Sequence, residues 1–121
     1  MQQQLFLLSN IILVTKRMKS FTIKEIYETH DIEIITYQMT EEKLKLALLC
    51  AIKATSLFKK NYCKIAEHIL EEFGVAFGDK WCCFVVSNGK GSFDFGNFIW
   101  ANNEYVLINR HRKAIILFKG A

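Results

Sequence analysis

The sequence predicts an α+β domain, with helices segregated from a mostly antiparallel sheet. Residues 44–55 and 65–73 carry apolar side chains at helical spacing. Residues 81–118 then contain several short runs rich in aromatic and β-branched residues, which is typical of strands. One further strand is expected before the helices. We therefore predict two helices packed on the sheet, in the order β-α-α-β-β-β-β.

Length and composition indicate one folded domain. The chain has 121 residues, of which 51% are hydrophobic and 23% are charged. Such a chain can bury one core, and it is too short for two ordinary domains. We expect the domain to occupy residues 31–121 and residues 1–30 to form an N-terminal appendage.

The appendage contains an apolar run. Residues 5–14 read LFLLSNIILV, with Lys16 and Arg17 beyond them. The run is too short for a membrane span, which needs about 20 residues, and it lacks the basic start and cleavage site of a signal peptide. Three interpretations stay open: an extra packed strand or helix, a membrane-surface anchor, or a poorly ordered appendage, which we favour. We expect no stable membrane insertion.

The helical part of the chain carries capping signals. Residues 21–28 fit either a short helix or an extended segment, and residues 31–38 fit a strand. Thr40 can cap the first long helix. The second is expected to begin after Asn61 and to end at Gly74, a residue suited to a left-handed C-cap.

The strands follow the second helix. Residues 81–86 form a continuous apolar run, as in a strand buried on both faces. Asn88 and Gly89 are a strong signal for a tight hairpin turn. Phe93 and Phe95 then alternate with small or polar residues, which predicts a half-buried strand. Residues 105–108 and 114–118 are the remaining strand candidates.

The basic residues and the cysteines indicate no catalytic, metal or nucleic-acid site. The net charge is only +4 and the cluster 110–113 is short, so we interpret it as solvated surface charge, because nucleic-acid sites need a broader basic stripe. The cysteines show no zinc-ligand spacing. We interpret them as buried apolar residues of a reduced, intracellular protein without cofactor or metal. The alternative is a catalytic thiol, Cys82 or Cys83, with His68 or His111 as its base. Cysteines inside a strongly hydrophobic strand such as 81–86 are usually unreactive, however.

Glycines around the predicted short strand suggest a binding role. Gly89, Gly91 and Gly96 bracket this strand, and glycine permits close approach by another backbone. An extended peptide could add to the strand edge through main-chain hydrogen bonds. The alternative is that these glycines only form turns. The residues alone support the two interpretations equally.

Several short motifs along the chain resemble those of a known protein family. They are MTEE at 39–42, CA at 50–51, IA at 65–66, EF at 72–73, Trp81, GSF at 91–93 and AIILFKG at 114–120. In their order and spacing they resemble the small dimeric type 1/type 2 dynein light chains, from about residue 31 onward. The closing AIILFKG is the most specific motif.

The resemblance implies a non-catalytic homodimer formed by exchange of one strand, here residues 90–96. Each of two grooves would bind a linear motif of dynein intermediate chains or other partners by β-strand addition, in a cytoplasmic or axonemal dynein complex of the cytoskeleton. The implied peptide-binding residues are Tyr62, Cys63, Lys64, Gly91, Ser92, Phe93, Asp94, Phe95 and Gly96. The implied dimer-interface residues are Trp81, Cys82, Cys83, Lys90, Phe93 and Phe95.

This chain departs from the family at informative positions. Tyr62-Cys63 replaces a Glu-Lys pair that receives a glutamine of the bound motif, and Cys82 replaces an interface histidine. We therefore expect the fold to carry over better than the peptide preference. A divergent axonemal light chain with an altered or closed groove is the alternative. The turn at Asn88-Gly89 would also compete with strand exchange, and the sequence leaves that competition open.

Overall fold

The computed structural model describes residues 21–88 and 104–120. Its elements in chain order are α1 Ile23–Thr29, β1 Glu33–Gln38, α2 Glu41–Phe58, α3 Tyr62–Phe77, β2 Trp81–Ser87, β3 Tyr105–Arg110 and β4 Lys113–Lys119. The predicted α+β class is confirmed, with a short helix added before β1. The strand expected around Phe93 and Phe95 lies outside the described residues, as does Gly89 of the predicted turn.

The four strands form one antiparallel sheet in the order β1-β3-β4-β2. His111 and Arg112 join β3 to β4 with φ angles of 53° and 59°, because a two-residue hairpin of this kind needs left-handed central residues. The register of β1 against β3 shifts between Ile34 and Thr36. Within the described sheet, β1 and β2 are therefore the two edge strands.

Helix α1 resolves the ambiguity of residues 21–28. The Thr22 side chain accepts a hydrogen bond from the Glu25 amide, and the Glu25 carboxylate accepts one from the Thr22 amide, which completes a capping box. Ile26 is completely buried in the same core as α2 and α3. The packed part of the chain thus includes residues before 31.

Helix α2 is buried on several sides, as its wide apolar stripe predicts. Thr40 caps it as expected by accepting a hydrogen bond from the Lys43 amide. Nine of its 18 residues are buried, so the helix lies inside the subunit. Its buried residues are Leu44, Ala47, Leu48, Leu49, Cys50, Ala51, Ile52, Ala54 and Thr55.

Helix α3 starts as predicted but ends later. Asn61 caps the N-terminus of the helix, because its side chain accepts a hydrogen bond from the Lys64 amide. The prediction that it ends at Gly74 is wrong: it continues to Phe77, and Gly78 is the C-cap at φ 95°. The extra turn places the Phe77 ring 5.0 Å from that of Phe73, which stabilises the longer helix.

The sheet has apolar side chains on both faces. The inner face packs on the helices and contributes Val106, Ile108, Ile115 and Leu117 to the core. On the opposite face, Leu107, Ala114 and Ile116 form a second buried cluster. We call this opposite face the outer face; by strand register it consists of Cys82, Phe84, Val86, Tyr105, Leu107, Asn109, Ala114, Ile116 and Phe118.

Candidate functional site

The first turn of α3 presents three predicted peptide-binding residues. Cys63 and Lys64 are exposed, whereas Tyr62 is half-buried and packs against the core. The prediction that all cysteines are buried is therefore wrong for Cys63, because Ile65 and Ile69 occupy the buried face of this helix. Cys63 and Lys64 are accessible to a partner, and Tyr62 is only partly so.

Of the predicted dimer residues, Trp81 lies in the core of its own subunit. Its ring meets that of Phe73 edge to face at 4.6 Å, and its Nε1 donates a hydrogen bond to the Phe77 carbonyl at 3.4 Å. Only 6% of the residue is exposed. Contact between Trp81 and a partner subunit stays a prediction.

Cys82 and Cys83 point to opposite faces of β2, as adjacent strand residues must. Cys83 packs against the core, where burial, reinforced by Cys82, raises its pKa to about 12. Its thiol is thus protonated at neutral pH and is a poor nucleophile. Cys82 lies on the outer face, next to Phe118 on β4.

The remaining predicted site residues fall outside the part of the chain that the structure describes. They are Lys90, Gly91, Ser92, Phe93, Asp94, Phe95 and Gly96. Their roles in strand exchange and peptide binding stay predictions.

The edge of β2 brings main-chain groups next to the apolar outer face, whose central residues Leu107, Ala114 and Ile116 are buried. The side of β2 that faces away from β4 pairs with no strand among residues 21–88 and 104–120. Phe84 at this edge is 48% exposed, and its ring stacks on that of Phe118 with centroids 5.8 Å apart. A strand edge that faces no described strand and lies next to apolar side chains is suited to strand addition.

The basic cluster at the β3–β4 turn is partly internal. Arg110 is 7% exposed and Lys113 is 8% exposed, so the interpretation as solvated charge is wrong for these two residues. Arg110 Nη1 donates hydrogen bonds to the Ile52 carbonyl at 3.1 Å and to Thr55 Oγ1 at 2.5 Å. The guanidinium therefore ties the end of β3 to α2, and the cluster is no continuous basic patch.

Sequence reasoning missed a polar cluster between α2 and α3. Glu72 forms an ion pair with Lys53, and His68 Nε2 lies 3.2 Å from Glu72 Oε1. Partial burial alone would raise the pKa of Glu72, but His68 and Lys53 outweigh it and lower the pKa to about 2. The four-residue spacing of His68 and Glu72 was the one available signal, because Lys53 comes from another helix.

Cys50 borders this cluster without being activated by it. Its Sγ lies 3.7 Å from Glu72 Oε2, and burial, together with that carboxylate, raises the pKa of the thiol. Cys50 is therefore a neutral core residue. Within the described ranges, no group of three or more histidine, cysteine or acidic residues could hold a metal ion.

Comparison with known proteins identifies the family. The family model of dynein light chain type 1 matches residues 31–120, which is most of the chain. The chain belongs to the dynein light chain family. The predicted family resemblance is thereby confirmed.

Solved structures agree with this membership in the dynein light chain family. The chain is similar to the dynein light chain-like domain of the Fasciola hepatica calcium binding protein FhCaBP2, with a TM-score of 0.62 and 14% identity over 75% of this chain and 93% of that domain. It is also similar to the DLC-like domain of CsTAL3, with a TM-score of 0.58 and 14% identity over 74% and 92% of the two chains. At such identities the likeness shows the fold alone. A search of curated proteins found no match.

No helix among the described residues is both long and apolar enough to cross a bilayer.

Proposed function

We propose that this protein is a non-catalytic light chain of a dynein complex, acting in the cytoplasm on the cytoskeleton or in an axoneme. It forms a homodimer and binds linear motifs of dynein intermediate chains and other proteins by β-strand addition. The observation that carries the proposal is the edge of β2, which faces no described strand and adjoins the apolar outer face.

Strand exchange would satisfy this edge. Residues 90–96 of a second subunit, laid along β2, would accept and donate the main-chain hydrogen bonds that β2 presents on that side. They would also cover Phe84, which is 48% exposed. The far side of the exchanged strand would then be open to a partner motif. Two such sites per dimer would strengthen binding to a dimeric partner through bivalency.

Sedimentation at micromolar concentration tests the dimer. We expect particles of twice the subunit mass of 14.1 kDa. Phe84→Glu should yield folded monomers, because a buried charge at the new interface would be unpaired. Val75→Glu, on the 91% exposed Val75 of α3, is the matched control and should remain dimeric. Wild-type particles of only one subunit would contradict the proposal.

Titration with a labelled intermediate-chain peptide tests the groove. We expect one peptide per subunit, and loss of binding when Phe93 and Phe95 are both changed to glutamate. Val75→Glu should bind like the wild type. Undiminished binding by the double variant would exclude the proposed strand as the binding site.

A second candidate is a divergent axonemal light chain that dimerises its partners but has an altered or closed groove. Tyr62 favours it, because this side chain is half-buried against its own core where the family presents a charged pair. In that case the wild type is dimeric and does not bind the intermediate-chain peptide. Changing Tyr62 to glutamate together with Cys63 to lysine should then restore binding.

A further inference from the structure

A groove lies between α1 and the edge strand β1, on the opposite side of the sheet from β2. Its volume is about 1010 Å³, and its lining residues include Ile23, Tyr27, Ile35, Tyr37, Met39 and Leu44. Five large apolar side chains are exposed among the described residues, and three of them, Tyr27, Ile35 and Tyr37, line this groove. Most of the large exposed apolar side chains in the described part of the chain therefore lie in this groove.

The groove also borders one edge of the described sheet. The side of β1 facing away from β3 pairs with no strand in the two described ranges. Ile35 at the register shift is 49% exposed and Tyr37 is 52% exposed. An apolar groove beside a strand edge that faces no described strand favours association, since exposed apolar side chains are unfavourable in water.

The chain itself supplies a segment that can reach the groove. The described structure begins at Phe21, and Ile23 and Lys24, near the start of α1, form part of the groove wall. Residues 5–14 end seven positions before Phe21. Seven residues span up to about 25 Å, so this segment can lie in the groove of its own chain.

Composition and charge make the segment a suitable occupant. Residues 5–14 are apolar except for Ser9 and Asn10, and a basic stretch follows, with Lys16, Arg17 and Lys19. The groove lining also includes two carboxylates, Glu33 at the start of β1 and Glu41 at the start of α2. Its one lining lysine, Lys24, lies 3.8 Å from Glu28 on its own helix. The apolar segment thus matches the apolar groove lining, and the basic stretch after it is opposite in charge to the two glutamates.

We propose that residues 5–14 dock in this groove of their own chain and cover Tyr27, Ile35 and Tyr37. The basic residues that follow them neutralise Glu33 and Glu41. The docked segment closes the β1 edge to other strands, so that partner motifs are confined to the β2 side. This proposal is independent of the exchanged dimer, because it uses the other edge of the sheet.

Site-specific photo-crosslinking in the full chain tests the docking directly. A benzophenone side chain replaces Tyr37, and in a control protein it replaces Val75, which is more exposed than Tyr37 and lies outside the groove. Mass spectrometry of mixed light and heavy isotope-labelled chains should place the crosslinks from position 37 on residues 5–14 of the same chain, with none from position 75. Crosslinks to another chain, equal yields from both positions, or no crosslinks to residues 5–14 would overturn the proposal.

Hydrogen exchange supplies a second measurement. Ile35→Glu should increase the amide exchange rate of residues 5–14 at least tenfold, whereas Val75→Glu should leave it unchanged. Sedimentation and peptide binding of Ile35→Glu should match the wild type, which separates this test from that of the proposed function. Wild-type exchange at the free-peptide rate, or protection that appears only with phosphatidylserine vesicles, would overturn the docking.

Discussion

Arg110 shows how much one residue can contribute to this fold. Its guanidinium bonds to Ile52 and Thr55 of α2 while the residue is 7% exposed. We expect Arg110→Met to lower the free energy of unfolding by about 2 kcal/mol, since the charged hydrogen bonds are lost while the apolar stem is kept. Urea titration measures this change in the free energy of unfolding. Lys60→Met removes an exposed charge and should change stability by less than about 0.5 kcal/mol; equal losses would contradict the role of Arg110.

Glu72 predicts a pH dependence of stability. Its pKa of about 2 in the folded chain lies below the ordinary 4.5, so its stabilising contribution is complete above about pH 5 and is lost as the pH falls toward 2. Because the side chain is 31% exposed, we expect Glu72→Gln to cost about 1–2 kcal/mol at pH 7.

Denaturant titrations at several pH values check this prediction. The difference between wild type and Glu72→Gln should shrink between about pH 5 and pH 2. Glu71→Gln, on the exposed neighbour, should show no such trend. A difference that is constant with pH would contradict the ion pair with Lys53.

At the scale of elements, two glycines of α3 should respond to alanine with opposite signs. Gly74 lies inside the helix with no atom within 4 Å of an added Cβ, so Gly74→Ala should stabilise by about 0.5–1 kcal/mol. Gly78 has φ 95° and ψ 177°, a region that alanine avoids, so Gly78→Ala should destabilise by about 1–3 kcal/mol. Thermal unfolding compares the two. Stabilisation by both would show that the helix ends elsewhere.

The two edge strands of the sheet differ in their surroundings. The edge of β2 adjoins the outer face, whereas the edge of β1 adjoins the groove under α1. The proposed dimer and motif site on the β2 side is therefore separate from the proposed docking site of the N-terminal segment on the β1 side. Strand order, rather than any single strand, separates these two roles.

At the scale of the whole molecule, α1 and the light-chain domain should unfold together. Ile26 is 0% exposed and lies in the main core, so Ile26→Ala should cost about 2–4 kcal/mol in one cooperative transition. Tyr27→Ala, at the adjacent 40% exposed position, should cost clearly less. A small cost for Ile26→Ala, or separate melting of α1, would show that the helix is an independent appendage.

Much of the fold could be predicted from local patterns, and much of the candidate site could not. The caps Thr40 and Asn61 were predicted because capping depends on neighbouring residues alone. The end of α3 was not, since the ring contact between Phe73 and Phe77 outweighs the tendency of Gly74 to stop a helix. The burial of Arg110 was also missed, because its hydrogen-bond partners are more than fifty residues away.

By itself, the sequence determined the family, the α+β class, the four described strands and the N-caps of α2 and α3, because spacing and short motifs encode local structure directly. Only the tertiary structure decided that β1 and β2 are the outermost of the four described strands, that Trp81 and Cys83 face the helices, and that an apolar groove lies between α1 and β1. These features depend on which distant segments pair and pack. Contacts between residues far apart in the chain leave no periodic trace in the sequence.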